Sequence, residues 1–331
     1  MRSRRFVPVI TSHIGHRKNI PAKTCDLPGR PVYLSKAGAR FTAHGATGTL
    51  LTGAGCTLRR MPGIFAVLGC RRPSREPENH SMRSLKVTLA YDGTDFSGWQ
   101  VQPEVPTIQG TLASAIGRVT GEKVLPQASG RTDAGVHALA QVVTFVTESS
   151  VPTENFQTAL NDLLPASVRV LQVEDAAADF HARHSAKAKT YRYRIDRAVI
   201  CSPFLARYVW HYPYPLVEEA MARAAELVVG EHDFTSFAAV DPERAREGEP
   251  ISNVRRIFSS SWERSDDEFV YTVRGSGFLH HMVRNLVGTF VLVGKGTLTP
   301  QDMARILEAK NRSRAGPTAP ATGLYLVNVE Y

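Results

Sequence analysis

The sequence predicts an α+β fold made of two βα-rich halves, with mainly antiparallel sheets and helices packed on one side. Two observations carry this expectation. From Met82 onward, runs of period-2 alternation take turns with stretches of helical periodicity. The strands and helices so read also divide into two halves of similar size, 82–186 and 187–331. No sequence repeat links the halves, so any internal symmetry is structural only.

The first strand is expected at 85–91, where Leu85, Val87, Leu89 and Tyr91 alternate with polar neighbours. A polar turn at Asp92-Gly93-Thr94 leads to an amphipathic helix near 107–119. Next come a glycine-flanked turn at 130–135, a strand at 141–146, and a helix at 154–164 that stops before Pro165. A strand at 168–173 closes the first half. The second half opens with a strand at 190–195 and a helix at 216–229. Strands at 255–262 and 269–274, helices at 279–293 and 300–309, and a last strand at 324–329 complete it.

Residues 1–81 read differently, with no sustained period and a composition rich in Gly, Pro, Arg and Ser. They hold 14 Lys and Arg against 3 Asp and Glu, a net of +11. The other 26 basic and 28 acidic residues leave 82–331 at −2, so the whole-chain charge of +9 belongs to the leader. Three readings fit such a segment: a start assigned upstream of the true initiator Met82, a disordered basic arm, or an organelle transit peptide. The first is preferred, with 1–81 a basic, disordered leader. Nucleic-acid binding by the body must then rest on local clusters of basic residues and not on its total charge.

Three of the four cysteines, Cys25, Cys56 and Cys70, lie in the leader, and only Cys201 lies in the body. An internal disulfide framework and cysteine-based metal spacing are thereby excluded from the body, and a reducing, cytoplasmic location is expected. No apolar run approaches the roughly 18 residues of a membrane helix.

Three constellations carry chemistry. In Gly130-Arg131-Thr132-Asp133-Ala134-Gly135-Val136-His137, a carboxylate sits in a tight turn directly before a strand, with Arg131 and His137 as possible partners. Such an acid is pre-positioned for nucleophilic or proton-transfer work. A turn aspartate that merely caps backbone amides is the competing reading. In Lys187–Arg194, basic and aromatic residues interleave. On a strand, Lys189, Tyr191 and Tyr193 share one face, and Arg192 and Arg194 the other. That pattern suits stacking on an unpaired base beside phosphate contacts, or else a tyrosine-lined core under a solvated basic face. Third, Arg274-Gly275-Ser276-Gly277 runs through Phe278 and Leu279 into His280-His281-Met282-Val283-Arg284-Asn285. A glycine turn before a helix N-terminus can receive a phosphate, but the stretch has neither a Walker nor a Rossmann pattern. Adjacent histidines on a helix point about 100° apart, which argues against a shared metal ion.

With these motifs, the chain resembles the TruA family of tRNA pseudouridine synthases. The resemblance rests on the Asp133 motif, on Tyr91-Asp92-Gly93-Thr94 with Gly98-Trp99-Gln100, and on Thr107-Ile108-Gln109-Gly110. Phe180-His181-Ala182-Arg183, Tyr191-Arg192-Tyr193 and Asp233-Phe234-Thr235-Ser236-Phe237 follow. The 277–285 run and Gly323-Leu324-Tyr325-Leu326 complete it, all in family order across 82–331.

The resemblance implies the pseudouridine synthase fold and cofactor-free, metal-free isomerisation of uridine to pseudouridine at positions 38, 39 and 40 of the tRNA anticodon stem-loop. It implies Asp133 as the catalytic nucleophile, Tyr191 stacked on a flipped uracil, Arg274 as the basic partner of the acid, and Arg131 as an aid to base flipping. Arg183, Lys187, Lys189, Arg192 and Arg284 are the expected phosphate contacts, and a homodimer with RNA across both subunits is expected. A catalytically silent RNA-binding scaffold is the alternative. A glycosidase-type hydrolase would need a second carboxylate opposite Asp133, and no partner acid stands out.

Overall fold

A computed structural model describes residues 82–240 and 252–331, together with three short strands of the leader. Those three, β1 (Leu50–Leu51), β2 (Thr57–Met61) and β3 (Ile64–Leu68), form an antiparallel sheet of their own. The sequence reading did not anticipate them, and the rest of 1–81 lies outside the described residues.

The body is organised around a ten-stranded, mostly antiparallel sheet. Its N-terminal half supplies β4 (Arg83–Tyr91), β5 (Gln127–Ala128), β6 (His137–Thr147) and β7 (Val168–Ala176). The second half supplies β8 (Ala188–Asp196), β9 (Trp210–His211), β10 (Gly230–Asp233), β11 (Val254–Ser265), β12 (Glu268–Gly275) and β13 (Leu324–Glu330). The strand order is β10-β11-β12-β8-β13-β6-β4-β7, with β5 added to β6 and β9 to β8. β13 lies between β8 and β6, antiparallel to the first and parallel to the second. The two halves are thus joined across one continuous sheet by the final strand.

The helices form where the sequence reading places them, with shifts of a few residues. In α1 (Ile108–Thr120), the Thr107 side chain accepts from the Gly110 amide, and Gly121 ends the helix at φ 78°. α2 (Thr153–Leu163) packs Phe156 and Leu160 on β7. α3 (Glu218–Glu226) rests on β11 and on α4 (Met282–Gly294), and α5 (Asp302–Ala309) follows. α4 is buried almost all round, as its unbroken apolar content demands. Gly288 on α4 allows the 312–319 segment to lie against the helix, because a Cβ there would meet the Pro317 carbonyl oxygen at 1.7 Å. Among the described residues, no helix is long and apolar enough to cross a membrane.

Three short strands, β5, β9 and β10, were not expected. Two to four residues are too few to show a period, and only pairing with longer neighbours defines them. β6 starts at His137, before the expected 141, because its first residues pair with β13.

Candidate active site

The seam where β6, β13 and β8 meet gathers the acid, the tyrosine and one arginine of the sequence reading. Asp133 opens the turn before β6, its carbonyl accepting from the Val136 amide at 3.1 Å; Tyr191 lies in the middle of β8, and Arg284 stands in the first turn of α4. Arg284 Nη1 donates to Asp133 Oδ2 at 2.9 Å, with both side chains mostly buried. The guanidinium is itself held, since its Nε donates to the Ala319 carbonyl at 2.8 Å and the Arg284 carbonyl accepts from the Ala319 amide. Asn285, fully buried, accepts from Arg312 and Thr318 and so fixes the 312–319 segment that carries Ala319.

Arg274, the expected partner of Asp133, is elsewhere. It makes a two-pronged pair with Glu330 at 2.8 and 2.6 Å and lies over the Phe258 ring. The register explains this. Val273 stands opposite Tyr191, whereas Arg274 stands opposite Thr190 and therefore projects from the other face of the sheet. Arg284, which the sequence reading set among the expected phosphate contacts, is the arginine that pairs with Asp133 in the structure.

His280 Nε2 is 3.6 Å from Asp133 Oδ1, and His281 Nε2 is 3.4 Å from Oδ2. The argument that adjacent helical histidines diverge does not apply, because α4 begins only at Met282. His281 adopts a left-handed backbone (φ 59°), and the two rings lie 4.0 Å apart. Among the described residues, Asp133, His280 and His281 are the group whose ligand atoms come within 4.8 Å of one another. Arg284 already supplies a cation to the same carboxylate, which opposes a metal ion there. Burial lowers the His281 pKa, and the neighbouring His280, Arg284 and Arg312 charges lower it further against the opposing pull of Asp133.

Tyr191 is 8 % exposed and packs edge-on to Phe278 at 5.0 Å, with its hydroxyl beside Gly130. Burial, and then the nearby Tyr91 and Asp133, push its pKa well above the usual phenol range, so the hydroxyl keeps its proton at neutral pH. Tyr193 shares that face but is core, with its hydroxyl donating to the Pro320 carbonyl.

Lys189 reaches the same turn and donates to the Ser129 carbonyl. Arg131 is exposed on the turn itself. His137 turns away from Asp133: it lies 3.2 Å from Asp92, contacts the Thr322 carbonyl and stacks on Tyr325. Arg192 is exposed on the face opposite Tyr191, while Arg183 and Lys187 are exposed on the connection before β8.

The family model described as tRNA pseudouridine synthase matches residues 88–185 and 224–331. A tRNA pseudouridine synthase A of Solibacter usitatus is 52% identical over 250 residues, which is 76% of this chain and all of that protein. Proteins of the same name from Moorella thermoacetica and Brevibacillus brevis are 47% and 46% identical, again over their whole length and 76% of this chain. With its ten-stranded sheet, its buried acid–arginine pair and these matches, the chain belongs to the tRNA pseudouridine synthase family and is an enzyme that isomerises uridine in tRNA.

Proposed function

We propose that the chain converts uridines 38, 39 and 40 of the anticodon stem-loop to pseudouridine, with Asp133 as the nucleophile. The observation that carries this reading is the Asp133–Arg284 pair. A guanidinium held by Ala319 fixes Oδ2 and so orients the carboxylate, whose Oδ1, 3.6 Å from His280 Nε2, is the oxygen proposed to face a nucleoside. The reaction breaks the C1′–N1 bond, rotates the detached uracil and joins C5 to C1′. The C5 proton is lost and N1 gains one, so the balance requires no redox partner, and we propose that no cofactor takes part.

A stem-loop uridine must swing out to meet a partly buried carboxylate, at a cost of a few kcal/mol that phosphate contacts offset. Tyr191 is proposed to supply a ring for the flipped base to stack on, and Arg131, exposed two residues before Asp133, is proposed to fill the gap or hold the strand. Arg183 and Lys187 are proposed phosphate contacts.

A homodimer is the proposed working form. The large apolar side chains Val199, Ile200 and Phe204 are each more than 80 % exposed after β8, which favours a face covered by a second copy. The proposed place of action is the cytoplasm, a reducing compartment that suits a body with a single cysteine.

The test is pseudouridine mapping on unmodified tRNA with the full chain and with Asp133→Ala. Conversion by the first and none by the second, with tRNA binding retained, is the expected result. Activity surviving in Asp133→Ala would refute the mechanism. Binding without conversion by the unmutated chain would instead favour the silent scaffold.

A further inference from the structure

We infer that Lys189, together with Gln141, is a positioning residue for Asp133 and not a phosphate ligand. The inference rests on the reading of Asp133 above and adds how the acid is held against Tyr191.

The segment around Asp133, residues 129–135, is anchored at almost every residue. The Ser129 carbonyl accepts from Lys189 Nζ. The next carbonyl, Gly130, accepts from Gln141 Nε2 at 2.8 Å, while Gln141 Oε1 accepts from Ser129 Oγ at 2.7 Å. The Thr132 hydroxyl meets the Tyr91 hydroxyl at 2.8 Å, and the Thr132 carbonyl accepts from the Trp99 amide at 3.0 Å. Gly135 N–H donates to the Phe96 carbonyl. Gln141 and Ser129 are fully buried and Tyr91 nearly so, so releasing any of these bonds would strand a polar group away from water.

The source of each anchor gives Lys189 its particular role. Gln141, Tyr91, Trp99 and Phe96 all belong to the half that carries Asp133. Lys189 comes from β8, two residues before Tyr191 and on the same face. Its ammonium lies 3.2 Å from where a Cβ on Gly130 would stand, and the Tyr191 hydroxyl lies 3.9 Å from that point. One short stretch of β8 therefore carries the stacking tyrosine and also grips the turn that bears the acid. That grip sets the separation of Asp133 and Tyr191 across the two halves of the sheet, and small misplacements of reacting groups are costly.

A phosphate ligand and a positioning residue behave differently when the charge is removed. Lys189→Met and Gln141→Leu in the full chain, measured by single-turnover conversion of tRNA with enzyme in excess, separate rate from affinity. For Lys189→Met, we expect the chemical rate to fall roughly 10- to 100-fold. The tRNA Kd should stay within about twofold, and its dependence on salt should not change. Gln141→Leu should lower the rate in the same way, with the native fold checked by circular dichroism. An unchanged rate in Lys189→Met overturns the inference. So does a weakened Kd whose salt slope drops by roughly 0.7 to 0.9, the signature of one lost phosphate contact. Asp133→Ala, run alongside, keeps the two claims apart. An active Asp133→Ala enzyme overturns the reading of the acid, whereas an inactive one beside a full-rate Lys189→Met overturns only the positioning role.

Discussion

Replacing Arg284 and Arg274 in turn, each by methionine, should give opposite results. The Arg284–Asp133 bond is 2.9 Å long between side chains that are 15 % and 17 % exposed. Charged hydrogen bonds in such surroundings contribute about 1.5 to 3 kcal/mol. If that interaction holds the carboxylate through the transition state, its loss corresponds to a rate decrease of roughly 10- to 100-fold. Arg274–Glu330 has equally good geometry, but its side chains are 40 % and 37 % exposed. Solvent screening leaves a pair this exposed with little effect on stability or on the acid. Arg274→Met should therefore convert tRNA at close to the normal rate. Single-turnover pseudouridine formation with both variants is the assay. A large rate loss in Arg274→Met with a normal Arg284→Met would refute the assignment and restore the arginine that sequence alone favoured.

Two further outcomes follow from packing and titration. Gly288→Ala places a methyl 1.7 Å from the Pro317 oxygen, and backbone on both sides leaves little room to yield. A loss of about 3 kcal/mol or more is expected, seen as a thermal midpoint lower by roughly 6 to 12 °C. A midpoint within 2 °C of the parent would contradict the packing of this segment on α4. His281, whose pKa is lowered in the folded chain, binds fewer protons folded than unfolded. Its contribution is therefore intact above the ordinary histidine pKa of about 6.5 and is lost as pH falls through that value towards the folded one. His281→Asn, which tolerates the left-handed backbone, should lose less stability than the parent between pH 7 and pH 5. Equal losses in both would remove His281 as a source of acid sensitivity.

Most of the fold was legible because the long elements carry their period openly. Leu85, Val87 and Leu89 face the core as their alternation requires, and Thr107 caps α1. The turn bearing Asp133 and the strand bearing Tyr191 could be read for the same reason. The partner of the acid was not legible from proximity to motifs, because it depends on which face of β12 looks towards β8 at Tyr191. The alternation of buried Phe269, Tyr271 and Val273 already sets Arg274 on the opposite face. Applied to that strand, the period-2 rule alone would have rejected it. The left-handed turn at His281, which brings both imidazoles onto Asp133, is closed locally by the Met282 amide donating to the Leu279 carbonyl at 3.0 Å, and no glycine marks it in the sequence. Lys189 read as a phosphate contact because a basic residue beside tyrosines fits RNA as well as it fits a carbonyl. Its bond to the Ser129 carbonyl, 60 positions earlier in the chain, has no local pattern to announce it.

The place of β13 between β6 and β8 also bears on how the enzyme comes into being. Its neighbour Thr322 touches His137 across 185 positions of sequence, and Ala319, which steadies Arg284, lies just before it. A nascent chain leaving the ribosome therefore carries Asp133, Tyr191 and the Lys189 grip before β13 and Ala319 can complete the seam around them. Contacts so distant in sequence also form slowly. A prematurely terminated product lacking 319–330 would have neither the carbonyl that holds the Arg284 guanidinium nor the strand that joins β6 to β8.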